Sequence, residues 1–222
     1  MSMQRAKARE LAQEFLQRND PLGWFEALYA QADQDASGIS WADLKPNPNL
    51  LAWLERKAIT GSGKRALKVG CGLGDDAEEL ARRGFGVTAF DIAPSAIAWC
   101  LARFPHSPIA YHIADLFHAP SEWRGAFDLV LEAYTLQVLP SELRDKAMAR
   151  IAEFVAPGGT LLVICRGRSA EDSTGQMPWP LLRDELNTFT HYNLHECGFE
   201  EYFDQEEPPV RRFCVQYLKK FS

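Results

Sequence analysis

The sequence has little of what marks a metal-binding, disulfide-stapled, membrane-spanning or nucleic-acid-binding protein. Its 222 residues include five cysteines, Cys71, Cys100, Cys165, Cys197 and Cys214, with no CxxC pair. That odd number and spacing argue against a zinc centre and against a disulfide framework, so no metal is expected. Three of them lie in apolar runs, where a free thiol behaves as a small hydrophobe, which points to a reduced, intracellular setting. No apolar stretch approaches the roughly 20 residues of a membrane span. The N-terminal MSMQRAKARELAQEFLQ lacks the apolar core of a signal peptide. A cytoplasmic location with no membrane partner is therefore expected. Positive charge is not in excess either: 24 Lys and Arg face 30 Asp and Glu, a formal net charge of -6. The nearest basic cluster, Arg166 to Arg168, is too short to neutralise many phosphates, so no nucleic-acid partner is expected. Nothing in the sequence bears on oligomeric state.

What is present is a regular alternation. From Arg65 onward, short apolar runs alternate with segments of helical period. Strands are expected at 66–69, 86–90, 109–113, 127–131 and 160–165, with helices near 75–83, 94–104 and 141–155. Such alternation implies βαβ units and a doubly wound, Rossmann-like α/β fold with a mostly parallel, seven-stranded sheet. The chain end departs from it. Segments 199–203 and 211–218 flank an acidic turn with Pro208-Pro209 and read as an antiparallel hairpin. Residues 1–60 hold helical patterns near 3–18 and 22–31, a loop at 33–48 and a helix beginning at Leu50. The chain is expected to be one domain: an N-terminal helical lid over 1–60 and a sheet core over 65–222. Trp24 and Trp41 are large apolar residues on a loop-rich extension, so the lid is expected to cover a site. Removal of residues 1–45 should then cost activity more than stability.

The first strand ends in Val69-Gly70-Cys71-Gly72-Leu73-Gly74. Glycines there let the backbone turn tightly and approach a ligand closely. The dinucleotide fingerprint GxGxxG is incomplete, because its third glycine position is Asp75. Asp75 and Asp76 also put negative charge where a pyrophosphate would sit at a helix N-terminus. A nucleoside that carries a sulfonium cation and no phosphate tolerates those carboxylates. Asp91 closes the second strand, where an acid can accept from ribose hydroxyls; the plainer reading is a cap for the helix opening at Pro94. Ile92 follows it. Asp115 follows the third strand, where it can accept from an adenine amino group with Leu116 or Phe117 packed on the ring, or can simply begin a loop.

These residues, with Phe127-Asp128-Leu129-Val130 and Pro157-Gly158-Gly159, resemble the class I S-adenosylmethionine-dependent methyltransferases over about residues 65–165. The resemblance implies S-adenosyl-L-methionine as cofactor, S-adenosyl-L-homocysteine as product, and a cofactor site including Trp24, Trp41, Gly70, Cys71, Gly72, Asp91, Ile92, Asp115, Leu116 and Glu132. One departure stands out. The family usually has an acid two residues before the first glycine, and here it is Lys68; Asp75 or Asp76 would have to take over its part. A finer resemblance is to the thiopurine, thiol and halide methyltransferase branch. It rests on Asp76, on Trp24, Trp41, Asp43, Pro46 and Pro48, on Pro140 to Arg144, and on Gln176-Met177-Pro178-Trp179-Pro180.

The resemblance puts the end of the fourth strand, Glu132 to Tyr134, against the transferring methyl. Tyr134 then shapes an acceptor pocket or is a core tyrosine. Arg166 attracts an anionic acceptor or is a solvated loop arginine. Trp179 adds an aromatic wall. No residue is identified as a catalytic base, and a small-molecule acceptor with sulfur as the favoured atom is expected, because a thiolate ionises readily. An oxygen or nitrogen acceptor activated by His118 or Glu132 is the alternative. A nicotinamide-dependent oxidoreductase and a non-catalytic nucleoside-binding module are the rival classes.

Overall fold

The computed structural model describes residues 3–221. Within the described residues, eight strands and seven α-helices follow in this order: α1 (Met3–Gln17), α2 (Gly23–Ala32), α3 (Pro48–Arg56), β1 (Arg65–Val69), α4 (Asp75–Arg82), β2 (Gly86–Asp91), α5 (Pro94–Arg103), β3 (Ala110–Ile113), β4 (Phe127–Ala133), α6 (Ser141–Phe154), β5 (Val155–Arg168), β6 (Leu181–Leu182), α7 (Arg183–Leu186), β7 (Leu194–Phe203) and β8 (Arg211–Lys219). The sheet runs β3-β2-β1-β4-β5-β8-β7, with the two-residue β6 beside β5. The expected seven strands are this path, and β6 is an addition too short to leave a periodic signal. β8 pairs antiparallel with both β5 and β7, while the remaining pairs are parallel.

The central strands read as mostly apolar runs because both of their faces are largely buried, with Lys68 in β1 and Asp128 and Glu132 in β4 as the interruptions. In β5, Leu161, Val163 and Cys165 join the core under α6, with Ala147, Met148 and Ile151. Their neighbours Leu162 and Ile164 join the opposite core, with Trp53, Leu80 and Ile97 of α3, α4 and α5. That two-residue alternation is what a pleated strand imposes. A third core lies outside the sheet. There Ala8, Ala12, Trp24, Leu28 and Tyr29 of α1 and α2 pack on Ala93, Ala96 and Trp99 of the α5 region. Glu26 fastens α2 to α5 by accepting from the Ser95 amide at 2.9 Å and hydroxyl at 2.6 Å. The N-terminal helices are thus built into the body of the molecule. Their deletion exposes a core, so it costs stability as well as any covering function, contrary to the expectation for a removable lid.

The strand order reverses direction between β1 and β4. At such a switch point the loops leaving neighbouring strands diverge and open a crevice at the strands' C-terminal ends.

Candidate functional site

A cavity of about 860 Å³ occupies that crevice. Its floor is the turn after β1. Gly70 and Gly72 have φ of +56° and +53°, a region that side chains with a Cβ enter at a cost. At Gly70 the space is closed too, since a Cβ would lie 2.5 Å from the Thr135 hydroxyl. Cys71 donates its backbone N–H to Phe90 at 2.8 Å, which sews the turn to β2.

Asp91 braces the same turn. One carboxylate oxygen accepts from the Gly72 N–H at 2.9 Å and the other from the Ala93 N–H at 3.1 Å. Asp91 closes a turn ahead of α5 and does not cap that helix, whose N-cap Ala93 has no side-chain cap bond, and each oxygen keeps a lone pair for a second donor. Burial raises its carboxyl above the ordinary range, opposed by those two amides and by Lys68. Asp115 accepts from the Phe117 N–H at 2.8 Å and contacts His118 Nδ1 at 2.6 Å, so it too starts a short turn while lining the cavity.

Lys68 stands where an acid was expected. Its Nζ donates to the carbonyls of Val69 at 2.8 Å and Gly70 at 3.1 Å. Its charge also favours the ionised forms of Asp76, Asp91 and Glu132, three carboxyls that burial pushes upward. Asp75 is occupied by a bidentate pair with Arg103 at 2.9 and 2.8 Å. Asp76 instead accepts the Asn47 N–H at 2.7 Å and lines the cavity.

Ten of the thirteen residues anticipated for the site line this cavity: Trp41, Gly70, Cys71, Gly72, Asp91, Ile92, Asp115, Leu116, Tyr134 and Arg166. Trp41 reaches it from the loop before α3 and donates its indole N–H to the Tyr29 hydroxyl at 2.9 Å. Three are not among its lining residues. Trp24 is 1% exposed and stacks on Phe25, 4.0 Å between ring centroids. Glu132 is wholly buried, and one of its oxygens accepts the N–H groups of Thr135 at 2.7 Å and Leu136 at 2.9 Å. It thus holds the turn after β4, which carries Tyr134 at φ +68°. Trp179 packs on the third core, and its N–H donates to the Gln137 carbonyl at 2.7 Å. Its neighbours Met177 and Pro178 line the cavity in its stead. His118 is also absent from the lining, and its side chain is 79% exposed.

Residues the sequence did not single out enter from two places. Tyr29 of α2 lies beneath the glycine turn, where a Cβ on Gly72 would be 3.2 Å from its hydroxyl. Tyr202, Asp204, Glu206 and Arg212 enter from the β7–β8 hairpin. Among the described residues no helix is long and apolar enough to cross a membrane, and no cluster of His, Cys, Asp and Glu is arranged to hold a metal.

The arrangement fits S-adenosylmethionine. Asp91 offers acceptors to a ribose, the glycine turn admits close backbone approach, and the carboxylates around it suit a cation and oppose a pyrophosphate. Residues 66–159 match the methyltransferase domain family. A ubiquinone biosynthesis O-methyltransferase of Aromatoleum aromaticum is 32% identical over 115 residues, 51% of this chain and 48% of that protein. The chain thus spans about half the length of the curated relatives it matches. Among solved structures, 1,6-didemethyltoxoflavin-N1-methyltransferase of Burkholderia thailandensis superposes with TM-score 0.68 at 15% identity, over 99% of this chain and 92% of that one. The [4+2]-cyclase SpnF superposes with TM-score 0.71 at 15% identity, over 97% of both chains; likeness at such identities is likeness of fold. The glycine turn, Asp91 and Asp115 all fall within residues 66–159, the stretch of this chain that is similar to methyltransferase domains.

Proposed function

We propose that the chain methylates an ionisable hydroxyl of a small molecule at the expense of S-adenosylmethionine. The observation that carries this reading is one cavity of about 860 Å³ lined by the glycine turn, Asp91 and Asp115 together with Tyr134, Gln137 and Arg166. That volume is large for one cofactor and leaves room for an acceptor beside it. When bound, S-adenosylmethionine supplies an electrophilic methyl on a sulfonium. Gly70 and Gly72 let the backbone approach it, Asp91 accepts from the ribose, Asp115 accepts from the adenine amino group, and Ile92 and Leu116 pack on the ring. Asp76 replaces the acid missing at Lys68 and faces the methionine ammonium. Trp41 covers the cofactor and excludes water. Tyr134 and the hairpin residues hold the acceptor in line, and such alignment alone supplies several kcal/mol of a displacement barrier.

Oxygen is favoured as acceptor atom because the curated relatives matched over half the chain are ubiquinone biosynthesis O-methyltransferases. The sulfur acceptor expected from the sequence moves to second place, and the relatives named above lend the thiopurine-like branch no support. Sulfur stands as the second reading on one observation. His118 and Glu132, the bases an oxygen acceptor was expected to use, are both outside the cavity lining, so the acceptor must ionise without them. Isothermal titration with S-adenosylhomocysteine and with a reduced nicotinamide dinucleotide tests the cofactor. Transfer of a labelled methyl to paired phenols and thiophenols tests the acceptor. Tight binding of the dinucleotide in preference to S-adenosylhomocysteine would defeat the proposal, and transfer to thiols alone would establish the second reading.

A further inference from the structure

Arg166, Arg212 and Tyr202 stand in one row across the sheet. Arg166 is the register partner of Arg212 between β5 and β8, and Arg212 that of Tyr202 between β8 and β7. Directly opposed residues of antiparallel strands project from the same face, and like charges so placed repel. Two guanidiniums therefore sit side by side at one end of the cavity, where Tyr134 lies under Arg212 at 5.1 Å from its ring centroid.

Their present counter-charge is incomplete. Asp204 accepts from Arg212 Nε at 2.7 Å. Glu206 is shared among Arg212 at 2.6 Å, Arg5 of α1 at 2.7 Å and Arg166. Its contacts to Arg166 are long, 3.2 and 3.3 Å, and both use the same nitrogen. The Arg166 guanidinium makes no other hydrogen bond among the described residues, although its side chain is only 15% exposed. The Tyr202 hydroxyl is buried with no hydrogen-bond partner among the described residues. Unpaired donors of this kind are costly when buried and rare without a reason.

We infer that the acceptor carries a carboxylate, which seats against Arg166 and Arg212 and accepts from the Tyr202 hydroxyl, with Glu206 as its stand-in until it arrives. The inference rests on the methyl-transfer reading of the cavity. A neutral group would leave the Arg166 charge as poorly met as it is now. A dianionic phosphate would meet Asp204 and Glu206 at the same spot. A single negative charge meets Arg166 and is repelled by Asp204 and Glu206 less than a dianion would be.

The test is calorimetric and needs no turnover. The full chain is first titrated with S-adenosylhomocysteine, then, saturated with it, with benzoate, indole-3-acetate and hexanoate, each against its own amide. At least one acid should bind about tenfold or more tightly than its amide, the scale of a charge-assisted hydrogen bond. Tyr202→Phe, which removes a hydroxyl with no hydrogen-bond partner among the described residues, should weaken that acid several-fold and leave the amide unchanged. Glu206→Gln, which removes the competing charge and keeps the shape, should tighten it. Equal binding of every acid and its amide by protein that binds S-adenosylhomocysteine would overturn this inference alone. Failure to bind S-adenosylhomocysteine would overturn the methyl-transfer reading instead.

Discussion

Asp91 reaches back 19 residues to accept the Gly72 N–H at 2.9 Å, so the acid at the end of β2 holds the turn at the end of β1 in shape. Binding and folding are therefore coupled at this residue. Asp91→Ala leaves the amides of Gly72 and Ala93 without acceptors, at about 1–3 kcal/mol each. Asp91→Asn keeps an acceptor oxygen for one of them. Thermal unfolding should show a larger loss for the alanine variant, while calorimetry should show at least a tenfold loss of S-adenosylhomocysteine affinity in both. Full affinity in the asparagine variant would leave Asp91 a brace and nothing more.

Gly70→Ala is expected to be worse than its one added methyl suggests. The left-handed backbone costs an alanine about 1–2 kcal/mol. The new Cβ would also lie 2.5 Å from the Thr135 hydroxyl, so the turn after β4 must shift. Reduced thermal stability together with lost cofactor binding is expected. Gly125→Ala serves as control: φ there is also positive, at +60°, but nothing lies within 4 Å.

The two tryptophans of the N-terminal segment should separate cleanly. Trp24 is 1% exposed, so Trp24→Ala should cost about 3–5 kcal/mol of stability. Trp41 is 37% exposed and borders the cavity. Trp41→Ala should cost little stability, lower affinity for S-adenosylhomocysteine and remove most of the fluorescence change on binding. Denaturant unfolding and fluorescence titration of both variants check this.

Glu132 offers a test in pH. Burial pushes its carboxyl up to about 7 from an ordinary value of 4.5. Its Oε2 has no hydrogen-bond partner, which suits a proton there. A carboxyl raised on folding favours the folded state while protonated. Its contribution is full below about 4.5 and is lost as the pH climbs to about 7. The span corresponds to about 3 kcal/mol at most. Glu132→Gln keeps an acceptor for Thr135 and Leu136 and cannot ionise. Its stability relative to the parent should rise between pH 5 and about pH 7 and level off above that in thermal melts, and a constant difference would show that Glu132 does not titrate there.

The apolar runs of β1, β4 and β5 and the glycine turn were legible because they are local: burial on both faces leaves a mostly apolar pattern, and a left-handed turn leaves glycine. The exposed edge was not. β7 begins at Leu194, but His195, Glu196 and Gly198 give its first half no apolar run. β5 begins at Val155 and passes through Pro157-Gly158-Gly159, which reads as a break before a strand starting at 160. Arg212 was invisible as a site residue for a different reason. Its neighbourhood with Arg166 is created by the pairing of strands 46 positions apart, and the doublet Arg211-Arg212 alone resembles any solvated pair. Glu132 and Trp24 erred the other way, since their composition suits a site and their burial serves the scaffold.

The fastening of α1 and α2 bears on how fast ligands come and go. With Glu26 held to Ser95, and Arg9 donating to the Met177 carbonyl at 2.5 Å, the two helices are anchored at both flanks of the crevice. The stretch between Asp33 and Asn47, which carries Trp41, is mostly without regular structure. Entry and exit then depend on swinging a short loop, a motion of nanoseconds to microseconds, and no helix pair has to lift. The hydrogen bond from Trp41 to the Tyr29 hydroxyl is one tie that such a swing has to break.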